Sequence, residues 1–211
     1  SKFYDRTKLK WQGRIHEVLQ GPGGQKYLPK EVIYLEHFQN HDTNRSHYLV
    51  GLAIANFLGS GSAESPDRAK HYFARELMYA GRFKSAIKQF EEHLTMNGWS
   101  TERAQSMLFI GDCYEHLGDL ETSKSWYLKS FDLEPGRREP LMKIAEQYYR
   151  ANAPYHAVAF GEAVLTIKGV NYYANFQPYY EHLPHELLYW AYHRLGNIEK
   201  SKEHFDKALA F

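Results

Sequence analysis

The residues from Ser106 to Pro135, SMLFIGDCYEHLGDLETSKSWYLKSFDLEP, decide the fold of this chain. Their apolar spacing predicts two amphipathic helices joined by a tight turn at Gly118. A glycine there adopts the left-handed conformation that ends a helix without a Cβ clash. Gly111 is small enough for the paired helix to approach closely, and Tyr114 places an aromatic side chain beside it. The stretch is therefore a candidate helical hairpin.

The same pattern recurs around equivalent turn positions. The turn residues are Gly81, Gly118, Asn152 and Gly196. The residues five positions after them are small: Ala86, Ser123, Ala157 and Ser201. The residues four positions before them are large: Leu77, Tyr114, Tyr148 and Tyr192. Two further columns have one departure each. Seven positions before the turn the residues are small, Ala74, Gly111 and Ala145, but Tyr189 breaks this rule in the last unit. Nine positions after the turn they are aromatic, Phe90, Tyr127 and Phe205, but Gly161 departs in the third unit.

This pattern resembles the tetratricopeptide repeat, which has a period of about 34 residues. The resemblance implies a mostly α fold, a right-handed superhelix of about four repeats over residues 63–211. Helices are predicted at 67–80 and 83–95, 101–117 and 120–132, 138–150 and 154–167, and 185–195 and 198–210. The last interval between turns holds about ten extra residues relative to the period. This insertion, GVNYYANFQPYYEHLP, is rich in aromatic residues, and we expect a partial helix across one end of a groove.

Residues 1–40 do not follow the repeat pattern. Two short strands are predicted around a turn at Gln12-Gly13, and Glu31–Phe38 is typical of a strand buried on both faces. Because forty residues cannot supply the sheet that such a strand needs, we interpret this part as a β remnant of a larger domain. Residues 41–62 are expected to form a connecting helix and a linker.

The segment from Trp11 to Glu17, WQGRIHE, and the motif EPGRREP at 134–140 are similar to those of family-2 glycosyltransferases that carry tetratricopeptide repeats. The resemblance implies that a catalytic domain precedes this chain or lies on another one. In a complete parent enzyme it makes His16 a candidate metal ligand and Glu17 a candidate general base. The alternative is a hairpin pair without a role. We expect this chain alone to be inactive and to need no cofactor, whereas the parent enzyme could use a divalent metal.

Composition excludes several classes of function. Lys and Arg number 26 and Asp and Glu 25, and this net charge of +1 does not favour binding to nucleic acid. No run of about 18 apolar residues predicts a membrane span. The single cysteine, Cys113, is expected to be a buried apolar residue, so a cytoplasmic location is predicted. The histidine spacings do not predict a metal site.

The predicted inner helices supply a candidate binding surface for a protein or peptide ligand in the concave groove. Its residues are Arg75, Tyr79, Asp112, Glu115, Glu146, Tyr149, Trp190 and Arg194. The alternative is a solvated face without a ligand. A second candidate is the aromatic set of the insertion, which consists of Tyr172, Tyr173, Phe176, Tyr179 and Tyr180. These side chains could stack on a sugar or a peptide, or they could cap the core.

Two classes of function remain open. The chain could be a binding or scaffold module without catalytic activity. It could instead position an acceptor for a glycosyltransferase domain. In both cases the apolar last helix and the strand at Val32–Leu35 predict self-association.

Overall fold

The computed structural model describes residues 10–12, 18–20, 66–169 and 174–211. Most of these residues lie in antiparallel helix pairs that follow one another along the chain. The helices are α1 (Pro66–Tyr79), α2 (Phe83–Leu94), α3 (Ser100–His116), α4 (Leu120–Leu133), α5 (Glu139–Arg150), α6 (Pro154–Thr166), α7 (Leu183–Arg194) and α8 (Ile198–Leu209). The predicted mostly α architecture of stacked helical hairpins is confirmed.

The four predicted turns share one conformation. The turn residues have positive φ angles: 73° at Gly81, 83° at Gly118, 55° at Asn152 and 73° at Gly196. In each turn the next residue donates its backbone N–H to the carbonyl of the large residue four positions before the turn, as Asp119 does to Tyr114 at 3.0 Å. This is the Schellman arrangement, and it satisfies carbonyl groups that the helix end leaves unpaired.

The small residues predicted at the helix seams are buried. Ala74, Ala86, Ser123, Ala145 and Ala157 are completely inaccessible to solvent. Next to them the large side chains of the core form one cluster around α1, α2 and α3 and another from α3 to α7. Cys113 is also fully buried, as its interpretation as an apolar residue predicted.

The two departures from the pattern have a packing explanation. Tyr189 occupies a position where a small residue is expected, and its ring packs 5.3 Å from that of Phe205. Phe205 is consequently 43% exposed, whereas Phe90 at the equivalent position of the first pair is fully buried. At Gly161 the missing side chain leaves room for Leu188 of α7, since a Cβ there would lie 2.9 Å from Leu188 Cδ2.

Near the N-terminus two antiparallel strands, β1 (Lys10–Gln12) and β2 (Val18–Gln20), form the predicted hairpin. The predicted turn at Gln12-Gly13 is wrong, because Gln12 is still paired with Val18 and the connection runs over residues 13–17. Pairing in this register requires a longer loop than a two-residue turn. The predicted strand at Glu31–Phe38, the connecting helix and the linker lie outside the described residues.

The insertion before α7 contains a short 3-10 helix over Gln177–Tyr180. It is attached to the link between α4 and α5, where the backbone N–H of Arg138 donates to the Tyr180 hydroxyl at 3.1 Å. Tyr180 donates its hydroxyl hydrogen to Glu139 at 3.0 Å. The EPGRREP motif therefore serves in this chain to hold the insertion against the second and third helix pairs.

Helix α8 exposes large apolar side chains, and self-association through them stays a prediction. Ile198 is 60% exposed, and Leu209 and Phe211 are each 70% exposed. Because large exposed apolar side chains favour association, we expect the average mass to rise with concentration in light scattering over a dilution series. The double substitution Ile198→Lys with Leu209→Lys should keep the protein monomeric. A monomeric wild-type mass at every concentration would contradict the prediction.

Among the described helices, none combines the length and apolar character needed to cross a membrane.

Candidate functional site

The eight predicted binding residues lie on α1, α3, α5 and α7, the first helix of each pair, and we call their surface the inner-helix face. On this face the carboxylates of Asp112, Glu115 and Glu146 are interleaved with cations. Lys143 Nζ lies 3.1 Å from Asp112 Oδ1, and Arg150 forms an ion pair with Glu115. Arg150 also lies 3.8 Å from Glu146. The structure thus joins three of the predicted residues in one charge network across α3 and α5.

Tyrosine hydroxyls connect this network to the rest of the fold. The hydroxyl of Tyr127 on α4 lies 2.8 Å from both Asp112 Oδ1 and Glu115 Oε2, so it donates to one of them at a time. Tyr179 of the insertion donates to Glu146 at 2.8 Å. Each carboxylate is therefore held in place by a side chain from a neighbouring element.

The two glutamates respond to this environment in opposite directions. Burial by itself would raise the pKa of Glu115, but hydrogen bonds from Gln147 and Tyr127 bring that pKa below its usual value. At Glu146 burial dominates and raises the pKa, although Tyr179 acts in the opposite direction. Glu115 is consequently the more firmly ionised of the two carboxylates at neutral pH.

Arginine and aromatic side chains form the other part of the face. The guanidinium carbon of Arg194 lies 3.8 Å from the centre of the Tyr149 ring, and Arg194 Nη1 donates to the Tyr149 carbonyl at 2.9 Å. Arg75 stacks over Tyr79 at 5.6 Å and forms an ion pair with Glu76 at 2.8 Å. Such stacking holds the arginine side chains in defined orientations.

Two aromatic residues of the face remain open to solvent. Tyr79 on α1 is 60% exposed, and Trp190 on α7 is 44% exposed. The Trp190 ring packs against Tyr189 on its own helix, with ring centres 4.5 Å apart. In the described part of the chain no contact joins Trp190 to the charge network.

The aromatic set of the insertion divides into different environments. Tyr179 is only 6% exposed, and the hydroxyl of Tyr180 is bonded to Glu139, so both act as structural side chains. For these two residues the structure agrees with the alternative of capping the core, since both pack in the cluster that runs from α3 to α7. Phe176 is 51% exposed. Tyr172 and Tyr173 lie outside the described residues, as do His16 and Glu17.

Several members of the network were missed in the sequence. Lys143 and Gln147 lie one helical turn apart on α5 beside Glu146, so helical spacing could have identified them. Tyr127 was assigned to packing alone. The contact of Tyr179 with Glu146 joins residues far apart in the chain, and no local pattern indicates it.

A separate group of ionisable side chains lies where α1, α2 and α3 begin or end. One possible metal-binding atom from each of three residues lies within 4.8 Å of the corresponding atoms of the other two. The residues are Asp67, His93 and Glu102. His93 and Glu102 are 0% and 1% exposed. Burial lowers the pKa of His93 to about 4, so its imidazole is neutral at neutral pH.

Comparison with known proteins agrees with the helical hairpins. Residues 104–137 and 190–211 match the family model of the tetratricopeptide repeat. Within these two ranges the chain is similar to tetratricopeptide repeats. The matched residues fall on α3 and α4 with the link that follows them, and on the end of α7 with α8.

Solved structures of repeat proteins share this fold at low sequence identity. The crystal structure of MamA superposes with a TM-score of 0.61 and 15% identity, covering 83% of this chain and 95% of that chain. BtubC from P. vanneervenii gives a TM-score of 0.65 at 14% identity, covering 79% of this chain and 72% of its own. A putative kinesin light chain with TPR-like repeats from Podosopora anserina gives 0.59 at 16% identity, covering 79% of this chain and 87% of its own.

Among curated proteins, the transcription factor tau 131 kDa subunit of Saccharomyces cerevisiae is 33% identical over 90 residues. The matched part is 42% of this chain and 9% of that protein. The chain therefore corresponds to a small part of the length of that relative. These similarities support a helical repeat scaffold.

Proposed function

We propose that the chain is a protein-binding module whose inner-helix face holds a segment of a partner protein in the concave groove. The observation that carries this proposal is the pair of exposed aromatic residues, Tyr79 and Trp190, on the first and last helices of that face. Tyrosine, tryptophan and arginine are the residues that most often dominate the energy of protein interfaces. The stacked Arg75 and Arg194 add two oriented guanidinium groups to the same surface.

The charge network gives an indication of the partner. Lys143 and Arg150 neutralise much of the charge of Asp112, Glu115 and Glu146, and these groups are already bonded to one another. A strongly charged ligand would have to break these bonds. The face consequently suits a segment that offers apolar or aromatic side chains to Tyr79 and Trp190, with polar groups between them.

A random peptide library displayed on phage tests the proposal, because it samples many candidate ligand sequences at once. We expect the wild-type protein to enrich peptides that bind the double variant Tyr79→Ala with Trp190→Ala at least about thirtyfold more weakly. Each truncation at an interface hot spot costs about 1 kcal/mol or more, and the two together therefore cost about 2 kcal/mol. Fluorescence anisotropy of the enriched peptides measures the difference.

Tyr155→Ala is the matched control for this experiment. Tyr155 is 77% exposed and lies on α6, the second helix of its pair, away from the inner-helix face. Peptide affinity should be unchanged in this variant. If the enriched peptides bind the double variant and the wild type equally, the binding surface lies elsewhere and the proposal fails.

We further propose, from the Trp11–Glu17 segment and the EPGRREP motif, that the module accompanies a glycosyltransferase domain and could position its acceptor. This part rests on the sequence resemblance alone. The reading frame upstream of residue 1 provides the discriminating observation. A nucleotide-sugar domain with an Asp-x-Asp motif would support the proposal, and an unrelated domain would reject it. A cytoplasmic location likewise stays a prediction.

A further inference from the structure

We propose that Asp67, His93 and Glu102 form a Zn²⁺ site that joins the first two helix pairs. Asp67 lies in the first turn of α1, His93 in the last turn of α2 and Glu102 in the first turn of α3. Their candidate ligand atoms all lie within 4.8 Å of one another. Small side-chain movements bring such atoms to the ligand distances of Zn²⁺, which are about 2.0–2.2 Å for imidazole nitrogen and carboxylate oxygen.

One ring nitrogen of His93 has no hydrogen-bond partner among the described residues, and this indicates a site for a ligand. Its Nδ1 lies 3.0 Å from Ser106 Oγ, and the residue is fully buried. Its Nε2 is also buried but has no hydrogen-bond partner among the described residues. A buried polar atom without a partner is costly, and a metal ion would satisfy it. The contact between Nδ1 and Ser106 is the kind of outer interaction that orients a metal-binding histidine.

The two carboxylates provide the negative charge that a divalent ion needs. Glu102 is 1% exposed, and one of its carboxylate oxygens lies within 4.8 Å of a carboxylate oxygen of Asp67. Arg68 Nη1 lies 3.2 Å from Glu102 Oε1 and balances part of this charge. A bound cation would relieve the repulsion between the two acids more completely, because it would contact both of them.

The carboxylate of Asp67 lies close to Gly98 in the connection between α2 and α3. A Cβ on Gly98 would lie 2.5 Å from Asp67 Oδ2, so only glycine at position 98 leaves room for this carboxylate orientation. The mixed nitrogen and oxygen ligand set favours Zn²⁺ over Mg²⁺ and Ca²⁺, which prefer oxygen ligands alone. Three protein ligands would leave a fourth position for water.

Isothermal titration of chelator-treated protein with Zn²⁺ tests the site, with CD spectra to verify that each variant is folded. We expect the wild type to show a site of measurable affinity that depends on Asp67 and Glu102. Asp67→Asn and Glu102→Gln should each weaken it by more than about a hundredfold, and Ser106→Ala by about ten- to a hundredfold, the range found for outer-shell partners. Asp67→Asn is the decisive variant, since Asp67 is only partly buried and the substitution preserves its shape.

A second pair of histidines provides the control. His185 Nδ1 and His204 Nδ1 lie 3.0 Å apart on the last helix pair and could bind Zn²⁺ independently. His185→Gln should leave the affinity and the sensitivity to Asp67→Asn unchanged. If Asp67→Asn binds as tightly as the wild type, or if no Zn²⁺ binds at all, the proposal is overturned. Neither result affects the proposed peptide surface, which is tested separately.

Discussion

Replacing Glu139 by alanine is expected to lower the free energy of unfolding by about 3–5 kcal/mol, because it removes one partner of a buried charge pair. Glu139 is 2% exposed, and its Oε2 lies 3.5 Å from Nε of Arg137, which is fully buried. The carboxylate also accepts hydrogen bonds from the backbone N–H of Phe176 at 2.8 Å and the hydroxyl of Tyr180 at 3.0 Å. The substitution would leave a buried guanidinium without its carboxylate.

Urea unfolding followed by CD measures this loss, and limited proteolysis localises it. Because Phe176 and Tyr180 lose their acceptor, cleavage within residues 174–182 should accelerate in Glu139→Ala. Glu139→Gln keeps an acceptor without the charge and should be less destabilising.

Glu121→Ala is the matched control for Glu139→Ala. Glu121 pairs with Lys124 at 2.6 Å, but its side chain is 87% exposed, and exposed pairs contribute only about 0–1 kcal/mol. An equally small loss from Glu139→Ala would mean that the insertion is held by other contacts.

The helical hairpins could be predicted from the sequence because their determinants are local. Gly118 and Asn152 indicate turns because glycine and asparagine tolerate the left-handed conformation and each follows a stretch of helical periodicity. The burial of Ala74 and Ala145 follows from the same periodicity. The observed helices accordingly begin and end within about two residues of the predicted positions, the usual uncertainty of a helix boundary.

The remaining features depend on tertiary contacts that the sequence does not encode locally. The bonds from Tyr179 to Glu146 and from Tyr180 to Glu139 each join residues that are far apart in the chain. The EPGRREP motif was interpreted through a family resemblance, whereas in the fold Glu139 anchors the insertion. The position of Tyr189 could be recognised as irregular, but its effect on Phe205 required the packed structure.

The candidate metal cluster was missed for a related reason. Metal sites are recognised in sequences by ligands at fixed short spacings, such as two histidines one turn apart on a helix. Asp67, His93 and Glu102 lie on three different helices and meet only when the first two hairpins stack. The histidine spacings do not predict a metal site because they describe local motifs, and this cluster is not local in the sequence.

Gly111→Leu is expected to destabilise the protein by about 1–3 kcal/mol or more, because it adds volume to a closed helix seam. A Cβ at this position would lie 2.4 Å from Cε1 of the Tyr127 ring, which is fully buried. For a domain of about 150–250 residues, each kcal/mol corresponds to roughly 2–4 °C in the thermal midpoint. Differential scanning calorimetry should therefore detect a clear decrease.

Ser125→Leu adds similar bulk to an exposed position of α4 and should change stability by no more than about 0.5 kcal/mol. The double variant Gly111→Leu with Tyr127→Ala tests the contact itself, since removing the ring makes room for the new side chain. Its destabilisation should be smaller than the sum of the two single effects, because residues in contact are not additive. Additive losses or an unchanged midpoint in Gly111→Leu would contradict the assigned seam.

Gly111→Leu should also weaken peptide binding at the inner-helix face. The new side chain would displace the Tyr127 ring and move its hydroxyl away from Asp112 and Glu115.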